Sequence, residues 1–225
     1  MEAFQKEFIE FLISAEVLTF GDFVTKSGRK TPYFINTGKY RTGLQLAQLG
    51  KFYASALLQY FGTDFDNLYG PAYKGIPLAV TTSITLAVEH KLDISVTYNR
   101  KEIKDHGERG SLIGHQYGGS ERVVIIEDVI TAGTSVTESL ALLQAQGAPQ
   151  VTGVLVSVDR MERGQEKLSA IQEMKKKFNL PVYSIVTVRD IITHLHNHPV
   201  DGKIIIDDTL KNRMEEYLAL YGVDM

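Results

Sequence analysis

Glu127 and Asp128 stand side by side between four β-branched residues, Val123, Val124, Ile125 and Ile126, and a turn of small residues, Thr131-Ala132-Gly133-Thr134-Ser135. The apolar run reads as a buried strand and the turn as the entry to a helix. A turn in that position can aim successive backbone N–H groups and hydroxyls at an anion, and the helix dipole adds to the attraction. The result is a cradle for a monophosphate. The two carboxylates are then placed to accept hydrogen bonds from sugar hydroxyls or to meet a magnesium-bound group. The purely structural reading is a strand-to-helix turn with an N-cap threonine. Gly-Lys-[Ser/Thr] is absent and GxGxxG is missing here, which excludes Walker and dinucleotide loops.

Other candidate residues stand further from this segment. Residues 100–120 hold five glycines and seven charged residues with no sustained period, and a loop of that length is either a functional lid or disordered. His194, His196 and His198 invite a metal reading. Their spacing puts all three on one side only in a strand, whereas the segment precedes Pro199 and reads as a helix end, so zinc is set aside.

The elements that must position these groups follow from periodicity. Phe4, Phe8, Phe11, Leu12 and Ala15 form one apolar stripe on a first helix, and Leu18 to Ile35 reads as two strands flanking a Ser27-Gly28 turn. From Thr42 onward, strands at 67–69, 94–98, 122–126, 152–158 and 182–188 alternate with helices near 43–60, 75–89, 134–146 and 163–177. Such alternation predicts βαβ units and a parallel sheet covered on both faces, with ligands at the carboxyl ends of its strands. Leu210, Met214, Tyr217, Leu218 and Tyr221 give a last packing helix.

Composition narrows the classes. At 225 residues, 44% hydrophobic and 23% charged, the chain is an ordinary globular one, and neither repeats nor a linker divide it. A net charge of −3 lacks the broad positive field of a nucleic-acid or anionic-membrane binder. Zero cysteines exclude disulfides and thiolate chemistry and fit a reducing cytoplasm. Glu2, Lys6, Glu7 and Glu10 interrupt any signal-peptide core, and no membrane span is expected.

The apolar run, acid pair and TAGTS turn together resemble the PRPP (5-phosphoribosyl 1-diphosphate) motif of the type I phosphoribosyltransferases. Within them the chain resembles the orotate-using family of bacterial type. The resemblance is carried by FIEFLISAEVLTFGDFVTKSGRKTPYFIN (8–36), YGPAYKGIPLA (69–79), YNRKEIKDHGE (98–108), IEDVITAGTS (126–135) and VDRMERG (158–164), in the expected order. It implies a doubly wound, mainly parallel α/β sheet flanked by helices. A single domain, 1–225, would carry an N-terminal hood over about 1–40 and a core over 41–225 that includes a mobile loop, 100–120. It also implies transfer of the phosphoribosyl group to orotate, giving orotidine 5′-monophosphate and pyrophosphate, with Mg2+ held mainly through PRPP and water. A homodimer is implied as well, in which loop 100–110 completes the neighbouring site.

Roles carried over residue by residue remain implications of that resemblance. Thr131, Ala132, Gly133, Thr134 and Ser135 would hold the 5′-phosphate, while Glu127 and Asp128 face the ribose hydroxyls and Val129 and Ile130 belong to the same PRPP site. Tyr73 and Lys74 lie in a pyrophosphate loop whose flanking Gly70 and Gly75 permit close backbone approach. Arg100, Lys101, Lys104 and His106 belong to the mobile loop, whose closure brings positive charge to the leaving group and excludes water; His106 is also a candidate proton donor. Lys26 would reach the reaction centre. Orotate would lie against Phe34 and Ile35, with Thr131 nearby and its carboxylate on the planar fork of Arg160. Ile35 stands where the family pattern has Phe, Glu127 where many relatives have Asp, and Arg109 where the loop pattern has Gly. The competing readings are a phosphoribosyltransferase for another base and a PRPP-binding regulator. Lys26, Phe34 and Arg160 weigh against the first, and the lack of a helix-turn-helix partner for the first helix weighs against the second.

Overall fold

The computed structural model describes residues 1–25, 28–100, 111–130, 133–164 and 168–223. Lys26, Lys101, Lys104, His106, Thr131 and Ala132, all assigned roles above, lie outside the described residues, as does Arg109. The elements in chain order are α1 (Ala3–Ser14), β1 (Leu18–Val24), β2 (Lys30–Ile35), α2 (Gly43–Phe61), β3 (Asn67–Gly70), α3 (Gly75–His90), β4 (Ser95–Asn99) and β5 (Leu112–Gly114). They continue with β6 (Arg122–Ile126), α4 (Thr134–Ala145), β7 (Gln150–Asp159), α5 (Ala170–Phe178), β8 (Val182–Thr187), α6 (Val188–Leu195), β9 (Pro199–Val200), β10 (Lys203–Ile204) and α7 (Asp208–Tyr221).

Six strands form the central sheet in the order β5-β4-β3-β6-β7-β8. All neighbours run parallel except the short edge strand β5, which is antiparallel to β4. This is the doubly wound α/β architecture expected from the alternation of elements. Side chains alternate across β6: Val124 and Ile126 enter the core shared with α1, α2, α3, α6 and α7, whereas Val123 and Ile125 enter the core under α4 and α5. Covered on both faces, β6 reads as an unbroken apolar run over Val123 to Ile126, all four of them buried, after a partly exposed Arg122. The strand order reverses between β3 and β6, so the segments leaving the carboxyl ends of these two strands splay apart and open a crevice.

The structure corrects several sequence-based boundaries. The helix expected over 163–177 begins only at Ala170, where the Ser169 hydroxyl accepts the Gln172 N–H and the Gln172 side chain accepts the Ser169 N–H. The strand expected to end at Val188 ends at Thr187, whose hydroxyl caps α6. The segment 100–120, expected as one long loop, contains β5. The segment Leu18 to Ile35 is an antiparallel hairpin as expected, and it is anchored at the other end of the chain. Arg29 donates to the Arg163 carbonyl at 3.0 Å and lies over the Tyr221 ring, and Tyr33 meets Tyr217 of α7 edge-on.

Candidate active site

The crevice at the reversal is built first by backbone. Gly70 ends β3 and Gly75 begins α3, and a Cβ on either would collide with main-chain atoms, that of Gly75 with the Ile126 carbonyl at 2.8 Å. Internal packing of β3, α3 and β6 therefore suffices to require both glycines. Between them, Pro71 to Lys74 make the loop expected to face a pyrophosphate. The Ala72 N–H donates to Asn99 Oδ1 at 2.8 Å, which ties this loop to the end of β4, where Arg100 follows. Tyr73 is exposed, and Lys74, though much of its side chain is exposed, turns its Nζ inward to the Thr37 hydroxyl and Asp128.

The acid pair sits directly after β6, and both residues are buried. The Tyr53 hydroxyl donates to the Glu127 carbonyl at 2.8 Å, and the Ser157 hydroxyl donates to that of Asp128 at 2.5 Å, so the backbone here is held from α2 and from β7. Glu127 accepts the Asp128 N–H at 3.1 Å and the Ser135 hydroxyl at 2.5 Å. Asp128 accepts the Val129 N–H at 2.8 Å on one oxygen; on the other it accepts the Thr37 hydroxyl at 2.5 Å and Lys74 Nζ at 3.0 Å. The two groups consequently differ in acidity. Burial raises Glu127 to about 7, against the opposing Ser135 hydrogen bond, and the neighbouring Asp128 charge pushes in the same direction. Burial also raises Asp128, but the Thr37 hydroxyl, Lys74 and the Val129 N–H outweigh it and hold this carboxyl below its ordinary value. Asp128 is thus the fixed anion of the pair, and Glu127 is poised near neutrality.

Beyond the pair, Val129, Ile130, Gly133, Thr134 and Ser135 line a cleft of about 230 Å³ with Glu127 and Val136. Gly133, not a threonine, is the N-cap of α4. It is left-handed at φ 68°, and no side chain among the described residues caps the helix. A Cβ at Gly133 would run into Met174 of α5. The first turn of a 12-residue helix thus presents backbone N–H groups and the Thr134 and Ser135 hydroxyls to the cleft, an anion site by charge and geometry.

Arg160 follows β7 and is largely buried. Its Nε and Nη2 both donate to Glu162 Oε1, at 2.9 and 2.7 Å, and its guanidinium lies over the Tyr33 ring at 5.0 Å. Tyr33 donates to the same oxygen at 2.7 Å, and its phenol is pushed well above its ordinary pKa, by burial first and then by Glu162. Phe34 projects from the opposite face of β2, 38% exposed and stacked on Phe23 with ring centroids 5.5 Å apart. Ile35 turns back and packs on the core instead of forming an exposed pair with Phe34. Thr37, Phe23 and Glu162 were not singled out from the sequence. Only Glu162 carried a visible signal, as an acid two residues from Arg160. The three histidines do not converge as a trio, because His196 Nε2 lies 2.7 Å from Asp208 on α7.

The chain resembles known proteins throughout. A family model described as the phosphoribosyl transferase domain matches residues 36–185. The orotate phosphoribosyltransferase of Lachnoclostridium phytofermentans is 52% identical over 224 residues, covering 100% of both chains. That of Clostridium beijerinckii is 52% identical over 222 residues, covering 99% of each. The crystal structure of the Francisella tularensis orotate phosphoribosyltransferase superposes with a TM-score of 0.83 at 35% identity, covering 96% of this chain and 99% of that one. End-to-end identity to these relatives and a phosphate-type cradle at the sheet's reversal agree: the chain belongs to the phosphoribosyltransferase family, in its orotate phosphoribosyltransferase branch.

Proposed function

We propose that this transferase moves the 5-phosphoribosyl group of PRPP to N1 of orotate, yielding orotidine 5′-monophosphate and pyrophosphate for pyrimidine synthesis. The observation that carries the reading is the pairing, at one crevice, of the buried Asp128 anion with a helix N-terminus that no side chain among the described residues caps. The bond from ribose C1 to the pyrophosphate oxygen breaks with its electron pair leaving on pyrophosphate, and a bond from orotate N1 to C1 forms as the N1–H bond breaks and its proton passes to pyrophosphate or water. In an oxocarbenium-like transition state the ring is positive and the leaving group negative, so a fixed anion and mobile cations stabilise opposite ends.

In this reading Gly133, Thr134 and Ser135 hold the 5′-phosphate together with Val129, Ile130, Thr131 and Ala132. Glu127 and Asp128 take the ribose hydroxyls. Lys74 waits on Asp128 in the free enzyme; its side chain is 59% exposed and long enough to turn onto the pyrophosphate. Arg100, Lys101, Lys104, His106 and Lys26 complete the charge around the leaving group, and Tyr73 borders it. Arg160 meets the orotate carboxylate with Phe34 and Thr131 beside the ring; Ile35 supports the strand from the core side. Glu162 fixes the orientation of the planar Arg160 fork before substrate arrives.

Magnesium fits as a substrate-borne ion. The Glu127 and Asp128 oxygens already accept Ser135, Thr37, Lys74 and backbone N–H groups, which leaves no ready-made oxygen cage, and Mg2+ commonly keeps several waters and binds through substrate phosphates. Bound through PRPP and water beside these carboxylates, it would neutralise charge developing on pyrophosphate.

The remaining organisation is part of the same proposal. Residues 1–40 serve as a hood on a core of 41–225 within one domain, supported by a hydrophobic core that runs from α1 to α7. The protein works as a homodimer in which segment 100–110 completes the partner's site; exposed Leu44, Ile84 and Val88 on α2 and α3 offer apolar surface for a second copy. No helix among the described residues is long and apolar enough to cross a membrane, and the cytoplasm is the proposed compartment. Incubation with PRPP, Mg2+ and a panel of bases tests the reading. Orotate is expected to be consumed; consumption of hypoxanthine in place of orotate, or of no base at all, overturns it, the latter in favour of a PRPP-binding regulator.

A further inference from the structure

On the side of the molecule where α1 packs against α6, a second group of chemically capable side chains converges. Glu10 of α1, His194 in the last turn of α6 and His198 beyond its end each offer one ligand atom, and those three atoms lie within 4.8 Å of one another. The backbone achieves this by breaking the helix. His196 adopts an extended conformation, Asn197 is left-handed at φ 53°, and the His198 N–H returns to the Leu195 carbonyl at 3.2 Å. That turn sends His196 outward to Asp208 and brings the His198 ring beside His194, with centroids 4.8 Å apart.

The distances suit a metal ion. With bonds of about 2.0–2.1 Å, ligand atoms of a tetrahedral zinc stand about 3.3 Å apart. Here Glu10 Oε1 lies 2.9 Å from His194 Nε2 and 3.7 Å from His198 Nε2, and the two imidazole ligand atoms lie within 4.8 Å of each other, a spread that a small turn of the half-exposed His198 ring closes. Two imidazoles and one carboxylate form a donor set for zinc and its first-row neighbours, not for magnesium or calcium. His194 is 9% exposed while His198 and Glu10 are 49% and 41% exposed, so an ion can enter from solvent and keep water as its fourth ligand.

We propose that Glu10, His194 and His198 bind one first-row transition-metal dication, zinc by preference, which staples α1 to the end of α6. The ion would join positions 184 residues apart in sequence, and because the unfolded chain lacks the site, binding adds to the stability of the fold. The site stands apart from the crevice residues and does not depend on the proposed reaction.

Zinc and cobalt titrations of chelator-treated protein, in excess Mg2+, test this. One Zn2+ per chain is expected, displacing Co2+ with a visible four- or five-coordinate spectrum. Affinity should fall at least about tenfold in His198→Ala and in Glu10→Gln, both at half-exposed positions. With zinc about a hundredfold above its dissociation constant, the wild-type Tm should rise by roughly 5–10 °C and that of the variants should not. Orotate turnover in Mg2+ buffer free of transition metals should be equal in all three proteins. In the wild-type chain itself, the imidazole NMR signals of His194 and His198 should shift on adding zinc while that of His90 stays; this readout needs no variant. No saturable zinc binding, undiminished binding in both variants, or His194 and His198 signals that ignore zinc would each overturn the proposal.

Discussion

Two adjacent carboxylates with opposed acidities make a sharper device than two identical ones. Asp128 is stabilised as an anion by Thr37, Lys74 and a backbone N–H, and Asp128→Asn should lower kcat by about 100-fold, the scale of losing one preorganised electrostatic partner. Glu127 gives a prediction with a sign. Its folded pKa lies near 7, above the ordinary 4.5, so the stability gained from its protonated form is complete below about 4.5 and is lost as pH rises through about 7. Glu127→Gln carries no such loss; its Tm relative to wild type should therefore be more favourable at pH 8 than at pH 5, and calorimetry at the two pH values checks this. Arg160→Ala should raise the orotate KM by about 10- to 100-fold, the cost of a charge-assisted pair, with a smaller effect on the KM for PRPP. Steady-state kinetics with each substrate varied separates the two. Glu127, Asp128 and Arg160 were legible because each sits in a short ordered pattern. Thr37 was not: it reaches Asp128 across 91 residues of sequence, and such a contact leaves no local periodicity.

At the level of elements, the strand β6 was read from sequence with its observed limits, since four β-branched residues bounded by charge fit no other element. Helix α5 starts at Ala170, seven residues after the expected start at 163, because a local signal sets its first turn. Ser169-Ala170-Ile171-Gln172 is a capping box, and here it fixes the first turn. Removing it in Ser169→Ala should cost about 1 kcal/mol, or roughly 3 °C in Tm, measurable by thermal unfolding. Strand β5 escaped notice because three residues at a sheet edge, within a Gly-rich segment, show no alternation. The cradle depends on the joint between β6 and α4 in the same way. Gly133→Ala places a Cβ at positive φ and against Met174, at about 1–2 kcal/mol for the backbone alone, so it should weaken PRPP binding more than orotate binding in isothermal titration.

For the molecule as a whole, the formal charge of −3 is an average over a surface and a site that differ in kind. Lys74 stands at the acid pair, and Arg100, Arg160, Lys26, Lys101 and Lys104 are assigned to the same anionic ligands by resemblance. The sheet supplies the common origin: the reversal between β3 and β6 brings the proposed pyrophosphate loop, ribose-binding acids and phosphate cradle to one edge. Fold class was legible because alternating helices and buried strands leave few other arrangements; the assembly of copies was not, since one chain's periodicity says nothing about a partner. If segment 100–110 completes the neighbour's site, mixing the impaired Lys101→Ala and Asp128→Asn proteins should restore activity toward a quarter of the wild-type level, as one site in the mixed dimer is intact (on the order of half of the dimers being mixed); no recovery after exchange, verified by native mass spectrometry, would argue against sharing. The most direct test of the central claim is the rate of orotate absorbance loss with PRPP and Mg2+ for wild type and Asp128→Asn at equal folded concentration. The account predicts PRPP-dependent loss in the wild type, slowed about 100-fold in the variant. A wild type that leaves orotate untouched, or a variant that matches it, would contradict the account.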